Sequence, residues 1–146
     1  MKAFTLMEIL IALGILAVLS SFAIVAFSNF NKNALLKEAR IKIISEMDYS
    51  RSQTLGSEGK SSWGVHFEAD RIIRFKGTSF SPSDPNNVEI LLPRGVAINS
   101  INLGGPSEVV FERLTGRASN AGSINIELND SSASTTINIY ASGITE

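Results

Sequence analysis

The chain has 146 residues, no cysteine and a formal net charge of −1 from 13 basic and 14 acidic side chains. That length holds one ordinary domain plus an appendage, not two full domains. The lack of cysteine excludes disulfides, thiolate metal sites and a cysteine nucleophile, and the scattered cations give no default case for a polyanionic ligand.

The first element is apolar. From Ile9 to Phe27 every residue is apolar or small except Ser20 and Ser21. A helix over this run covers about 28 Å, close to the hydrocarbon thickness of a bilayer, so the pattern predicts a membrane span. A hydroxyl bonded to the carbonyl one turn back makes each serine tolerable there. Lys2 places the N-terminus on the cytoplasmic side by the positive-inside rule, with Lys32 and Lys37 competing from the other flank.

Glu8 is the discordant residue, because no other charge follows it until Lys32. A carboxylate within a span costs roughly 2.5–3.5 kcal/mol at the centre and less near an end. A cleaved secretory signal fits poorly: the run exceeds an ordinary h-region, and Phe27-Ser28-Asn29-Phe30 lacks a small-x-small site. A plain single-pass anchor leaves Glu8 as an interfacial residue reaching headgroups. The third reading gives it a specific cationic partner.

Beyond Asn29 the chain turns polar without a helix breaker until Gly56. Leu36, Ala39, Ile43 and Met47 recur at spacings of three and four, which draws one apolar stripe. Glu38 and Lys42 form a favourably ordered i, i+4 pair. The pattern predicts one nearly continuous helix from about Thr5 to Leu55, with Gly14 its weakest point.

From Ser61 the texture changes to short alternating runs separated by Gly, Pro, Asn, Asp and Ser. Strands are predicted at Trp63–Phe67 and Arg71–Phe75, joined as a hairpin through Glu68-Ala69-Asp70. Further strands follow at Val88–Leu92, Val96–Leu103, Glu108–Glu112, Ser123–Leu128 and Thr136–Tyr140. The loop from Ser81 to Asn87 holds Pro82 and Pro85 and excludes regular structure. Clean alternation in the last two strands predicts an antiparallel sheet with one buried face, and the helix stripe is its natural cover.

Little in this part suggests chemistry. His66 is the sole histidine and falls inside a strand, where a structural role is expected. Asp70, Asp84 and Asp130 lie in separate turns that favour Asp for local backbone bonding. The Asp84–Asn87 loop offers oxygen ligands suited to calcium, but at no recognisable ligand spacing. Gly104-Gly105-Pro106 reads as a turn, not a phosphate loop. No catalytic, cofactor-binding or metal residue is assigned, and the chain is not expected to be an enzyme.

The residues Lys2-Ala3-Phe4-Thr5-Leu6-Met7-Glu8, followed by the long apolar run, resemble the type IV prepilin signature. Val110-Phe111, Gly116, Ile124–Leu128 and Gly143-Ile144 are similar, more loosely, to the GspH/FimT group of minor pseudopilins. The resemblance implies an α+β, pilin-like fold: a long N-terminal helix, membrane-spanning in its first half, packed on a small antiparallel β-sheet domain. It divides the chain into a leader at 1–3, a transmembrane and polymerisation half-helix at 4–28, an amphipathic half at 29–56, and a β-rich globular domain at 57–146.

It further implies that a prepilin peptidase cuts between Ala3 and Phe4, where Ala3 stands in place of the commoner Gly, and that the new Phe4 amine is N-methylated. Glu8 then pairs with the N-terminal amine of a neighbouring subunit as the filament grows, so Glu8 and Phe4 are the assembly residues. The implied function is that of a minor pilin or pseudopilin of a type IV pilus or type II secretion machine. Its implied partners are other pilin or pseudopilin subunits, the prepilin peptidase, an inner-membrane assembly platform and the lipid bilayer. The implied location is the bacterial inner membrane, single-pass, with the C-terminal domain outside the cytoplasm.

Two other readings remain. Some FimT-like members bind DNA, and Arg71, Arg74 and Lys76 would be the patch for it. However, the tail Ala141–Glu146 carries no cation, so nucleic acid is not an expected partner. A membrane-tethered binding domain that never polymerises is the other.

Overall fold

The computed structural model describes residues 5–56, 60–130 and 133–146, without the side chains of residues 22–29. The chain forms two compact units, Met1–Ala34 and Leu35–Glu146. One helix, α1 (Leu6–Leu55), begins in the first and ends in the second.

In the first unit the serines behave as their neighbours require. Ser20 Oγ donates to Leu16 O at 2.7 Å and Ser21 Oγ to Val18 O at 2.7 Å, so neither hydroxyl is left without a partner. Gly14 has nothing within 4 Å of the position a Cβ would take, so it is not there to admit a close neighbour within the described chain.

The expected fold class needs correction on two points. Among the described residues no helix is long and apolar enough to cross a membrane, so the membrane-spanning first half is not a feature of this structure. The second correction concerns the β-rich part, which is two antiparallel sheets rather than one. The chain remains α+β overall.

The second unit holds seven strands: β1 (Trp63–Phe67), β2 (Arg71–Lys76), β3 (Val88–Leu91), β4 (Val96–Leu103), β5 (Glu108–Val110), β6 (Gly122–Leu128) and β7 (Ser134–Ile139). One sheet runs β3-β2-β1-β5 and the other β4-β6-β7. The change of sheet falls between β3 and β4. There Leu92 N–H donates to Asp70 O at 3.0 Å, Pro93 has no N–H to offer, and Gly95 takes φ +82°, so the chain turns out of the first sheet.

Both sheets and the helix stripe share one core. Leu36, Ala39, Ile43 and Met47 cluster with Val65, Phe67, Ile72 and Val109 of the first sheet, and with Ile124, Ile126 and Ile137 of the second. In the first sheet Val65, Ile72 and Val109 lie on this face by strand alternation. The opposite face carries Ile73, Phe75, His66 and Glu108, and the loop after β2 returns over it to stack Phe80 on His66 with ring centroids 4.1 Å apart. Gly64 makes room there, since a Cβ at that position would lie 2.6 Å from the Phe75 ring.

Polar bonds fix the helix against the first sheet. Arg74 Nη1 meets Glu46 Oε2 at 2.7 Å, and its guanidinium stacks 4.2 Å from the Tyr49 ring centroid. Thr54 is fully buried near the helix end; its hydroxyl donates to Ser50 O and accepts Trp63 N–H, both at 2.9 Å. Thr54→Val is therefore expected to leave the Trp63 amide unpaired and to destabilise the fold by about 1–3 kcal/mol, read by urea denaturation. Arg51 Nε donates to Gly116 O at 3.0 Å, beside Gly143 at φ +81°.

Candidate assembly site

The proposed cleavage and methylation positions, Ala3 and Phe4, lie outside the described residues. Glu8 is described, and the local sequence explains its position. Thr5 precedes the first helical residue, and its Oγ1 accepts Glu8 N–H at 3.2 Å while Thr5 O accepts Glu8 N–H at 3.1 Å and Ile9 N–H at 3.3 Å. Thr5 is thus the N-cap of α1 and Glu8 its third residue. This is the Thr-x-x-Glu spacing of a capping box, with the threonine half of the reciprocal pair formed. The spacing is legible in Thr5-Leu6-Met7-Glu8, where the apolar run that follows hides it.

The cap gives Glu8 a defined place. Its carboxylate belongs to the first helical turn, where unpaired backbone N–H groups leave partial positive charge that favours an anion. Around it Leu6, Met7, Ile9, Leu10, Ile11 and Leu13 are all more than half exposed. Glu8, Ile9, Ala12 and Leu13 line a recess of about 280 Å³ on this surface. Glu8 is the one acidic group on an otherwise apolar stretch of described helix.

Other charged candidates are committed elsewhere. Arg71 Nε lies 3.1 Å from both Glu68 Oε2 and Asp70 Oδ1, and its Nη1 lies 3.1 Å from Glu89 Oε2. The hydrogen bonds that Arg71 donates to Asp70 and then to Glu89 raise its pKa above the ordinary arginine value. With Arg74 bound to Glu46 and Lys76 Nζ 5.9 Å from the Trp63 ring centroid, the three cations do not gather into a free basic patch. His66 Nδ1 sits 3.7 Å from Glu108 Oε2, which also accepts Phe80 N–H at 3.2 Å.

In the Asp84 loop one carboxylate oxygen accepts both Asn86 N–H and Asn86 Nδ2, each at 2.8 Å. Among the described residues no group of three or more His, Cys, Asp or Glu is placed to hold a metal. The backbone bond from Asn86, then its side-chain bond, hold the Asp84 pKa below the ordinary carboxylate value. The stabilisation from this turn is therefore full above the ordinary Asp pKa and disappears as pH falls through the lowered folded value. The Asn86 amide resonance is expected to show that transition on the acid side of an ordinary Asp; a midpoint at or above the ordinary value would contradict it.

No protein-family model, curated protein or solved structure matches the chain.

Proposed function

We propose that the chain is a structural subunit of a filament, a minor pilin or pseudopilin of a type IV pilus or type II secretion pseudopilus. The prepilin-like stretch Lys2–Glu8 supports this reading. One observation carries it: a capped helix start sets a lone carboxylate among exposed apolar side chains.

Hydrolysis of the peptide bond between Ala3 and Phe4 frees an amine at Phe4. In the assembled filament that ammonium meets Glu8 of the adjoining subunit. The apolar side chains supply the drive. Fully burying a Leu or Ile contributes about 1.5–3 kcal/mol, so a few of Leu6, Leu10, Leu13 and Leu16 outweigh the several kcal/mol of desolvating one carboxylate. Such burial is indifferent to axial register. The carboxylate is not, because every register but the paired one leaves it buried without a cation.

The test is to shear surface filaments from the native host and probe them for this chain. Co-sedimentation with filaments is expected. Its presence only in unassembled fractions, in cells that make filaments, would overturn the proposal.

A further inference from the structure

Sheet edges are templates for pairing, and this fold treats its four edges unequally. At β7, Asn138 N–H donates to Glu146 O at 2.7 Å and Glu146 N–H returns to Asn138 O at 2.9 Å, so the chain's own tail covers that edge. At β5, Val110 O accepts Ser119 N–H at 2.8 Å, and Phe111 bridges Ala118. The β4 edge is met at Ile98 by Ala69 O at 2.8 Å and is broken by a bulge between Ile98 and Ser100. Among the described residues, β3 has neither cover nor bulge on its outer side.

The chemistry of β3 favours a second copy of itself. Val88 is 40 % and Leu91 61 % exposed, and no lysine or proline lies within the strand to block an incoming one. Its one charge, Glu89, is bonded back to Arg71 on β2. Two copies related by a two-fold axis can pair antiparallel about Ile90. Ile90 then faces Ile90 of the other copy and Glu89 faces Leu91, so no like charges are opposed.

We propose that β3 is a homotypic interface, through which two copies of the chain join their four-stranded sheets edge to edge. The pairing involves the Leu35–Glu146 unit only and stands apart from the filament reading. A chain that never entered a filament would still pair, and failure of the pairing would leave the role of Glu8 untouched.

The absence of native cysteine makes the test direct. Ile90→Cys in the full chain is expected to form a disulfide-linked dimer under mild oxidation at about 100 μM, in at least several-fold greater yield than Asn138→Cys on the covered β7 edge. Leu91 is exposed enough to be replaced without touching the core, so it probes the contact while the fold persists. Leu91→Glu opposes Glu89 of the other copy and should weaken self-association about tenfold by sedimentation velocity, whereas Leu91→Lys should not weaken it. Ile90→Cys cross-linking no better than the control would overturn the proposal. So would equal effects of the two Leu91 substitutions, or occupation of β3 by an unrelated extended peptide on a monomeric chain.

Discussion

Replacing Glu8 by alanine is expected to reduce the amount of this chain in sheared filaments at least about tenfold while leaving its cellular level unchanged. The substitution removes the one group on the exposed helical stretch that distinguishes one register from the next. The buried Phe4 ammonium of the adjoining subunit would then lack its counter-ion. Thr5 and Glu8 also form a capping arrangement, so alanine alone does not separate a lost charge from a frayed helix start. Glu8→Gln makes the separation, because glutamine serves the capping box as well as glutamate but carries no charge. The account expects Glu8→Gln to fail as Glu8→Ala does. Normal incorporation of Glu8→Gln would reduce Glu8 to a helix-capping residue.

The second large effect belongs to the core of the Leu35–Glu146 unit. Phe67 is 2 % exposed and belongs to the cluster in which the stripe of α1 meets both sheets. Phe67→Ala removes an aromatic ring from a site bounded by rigid strands, and the surroundings can close only part of the space. A loss of about 3–5 kcal/mol is expected, enough to consume much of the stability of an ordinary domain. Urea denaturation followed by Trp63 fluorescence would measure it. A loss below about 1 kcal/mol would show that Phe67 is not central to the packing.

The contrast between legible and illegible parts of the fold follows from range. The stripe Leu36-Ala39-Ile43-Met47 and the alternation in Ile124-Asn125-Ile126-Glu127-Leu128 are local periodicities, and each marks a buried face that the structure contains. Glu38 and Lys42 likewise pair at 3.2 Å, as their spacing predicts. The number of sheets is not local. It depends on β4 pairing with β6 instead of β3, and only the turn at Pro93 and Gly95 hints at the departure.

Strand ends show the same limit. β5 ends at Val110, short of the expected Glu112, because Phe111 makes only an isolated bridge to Ala118 and Leu114 takes φ +70° in the turn that follows. Nothing in the local sequence announces a leucine in that left-handed region.

The candidate site was half legible. Glu8 stood out because an isolated charge on an apolar run is conspicuous. Its capping partner was overlooked because the apolar run invited a reading in terms of lipid, and the described residues contain no helix able to cross a membrane. Arg71 and Arg74 looked available as a basic patch because their partners Glu89 and Glu46 are distant in sequence. The environment of His66 was equally hidden, since Glu108 and Phe80 reach it only through strand pairing and loop return.

Intact-mass and N-terminal fragment spectra of the protein from working native filaments bear most directly on the central claim. If Glu8 acts by meeting a freed amine, the mature chain starts at a methylated Phe4. A chain still carrying Met1 to Ala3 within functional filaments would have no such amine, and the assembly role of Glu8 would be refuted.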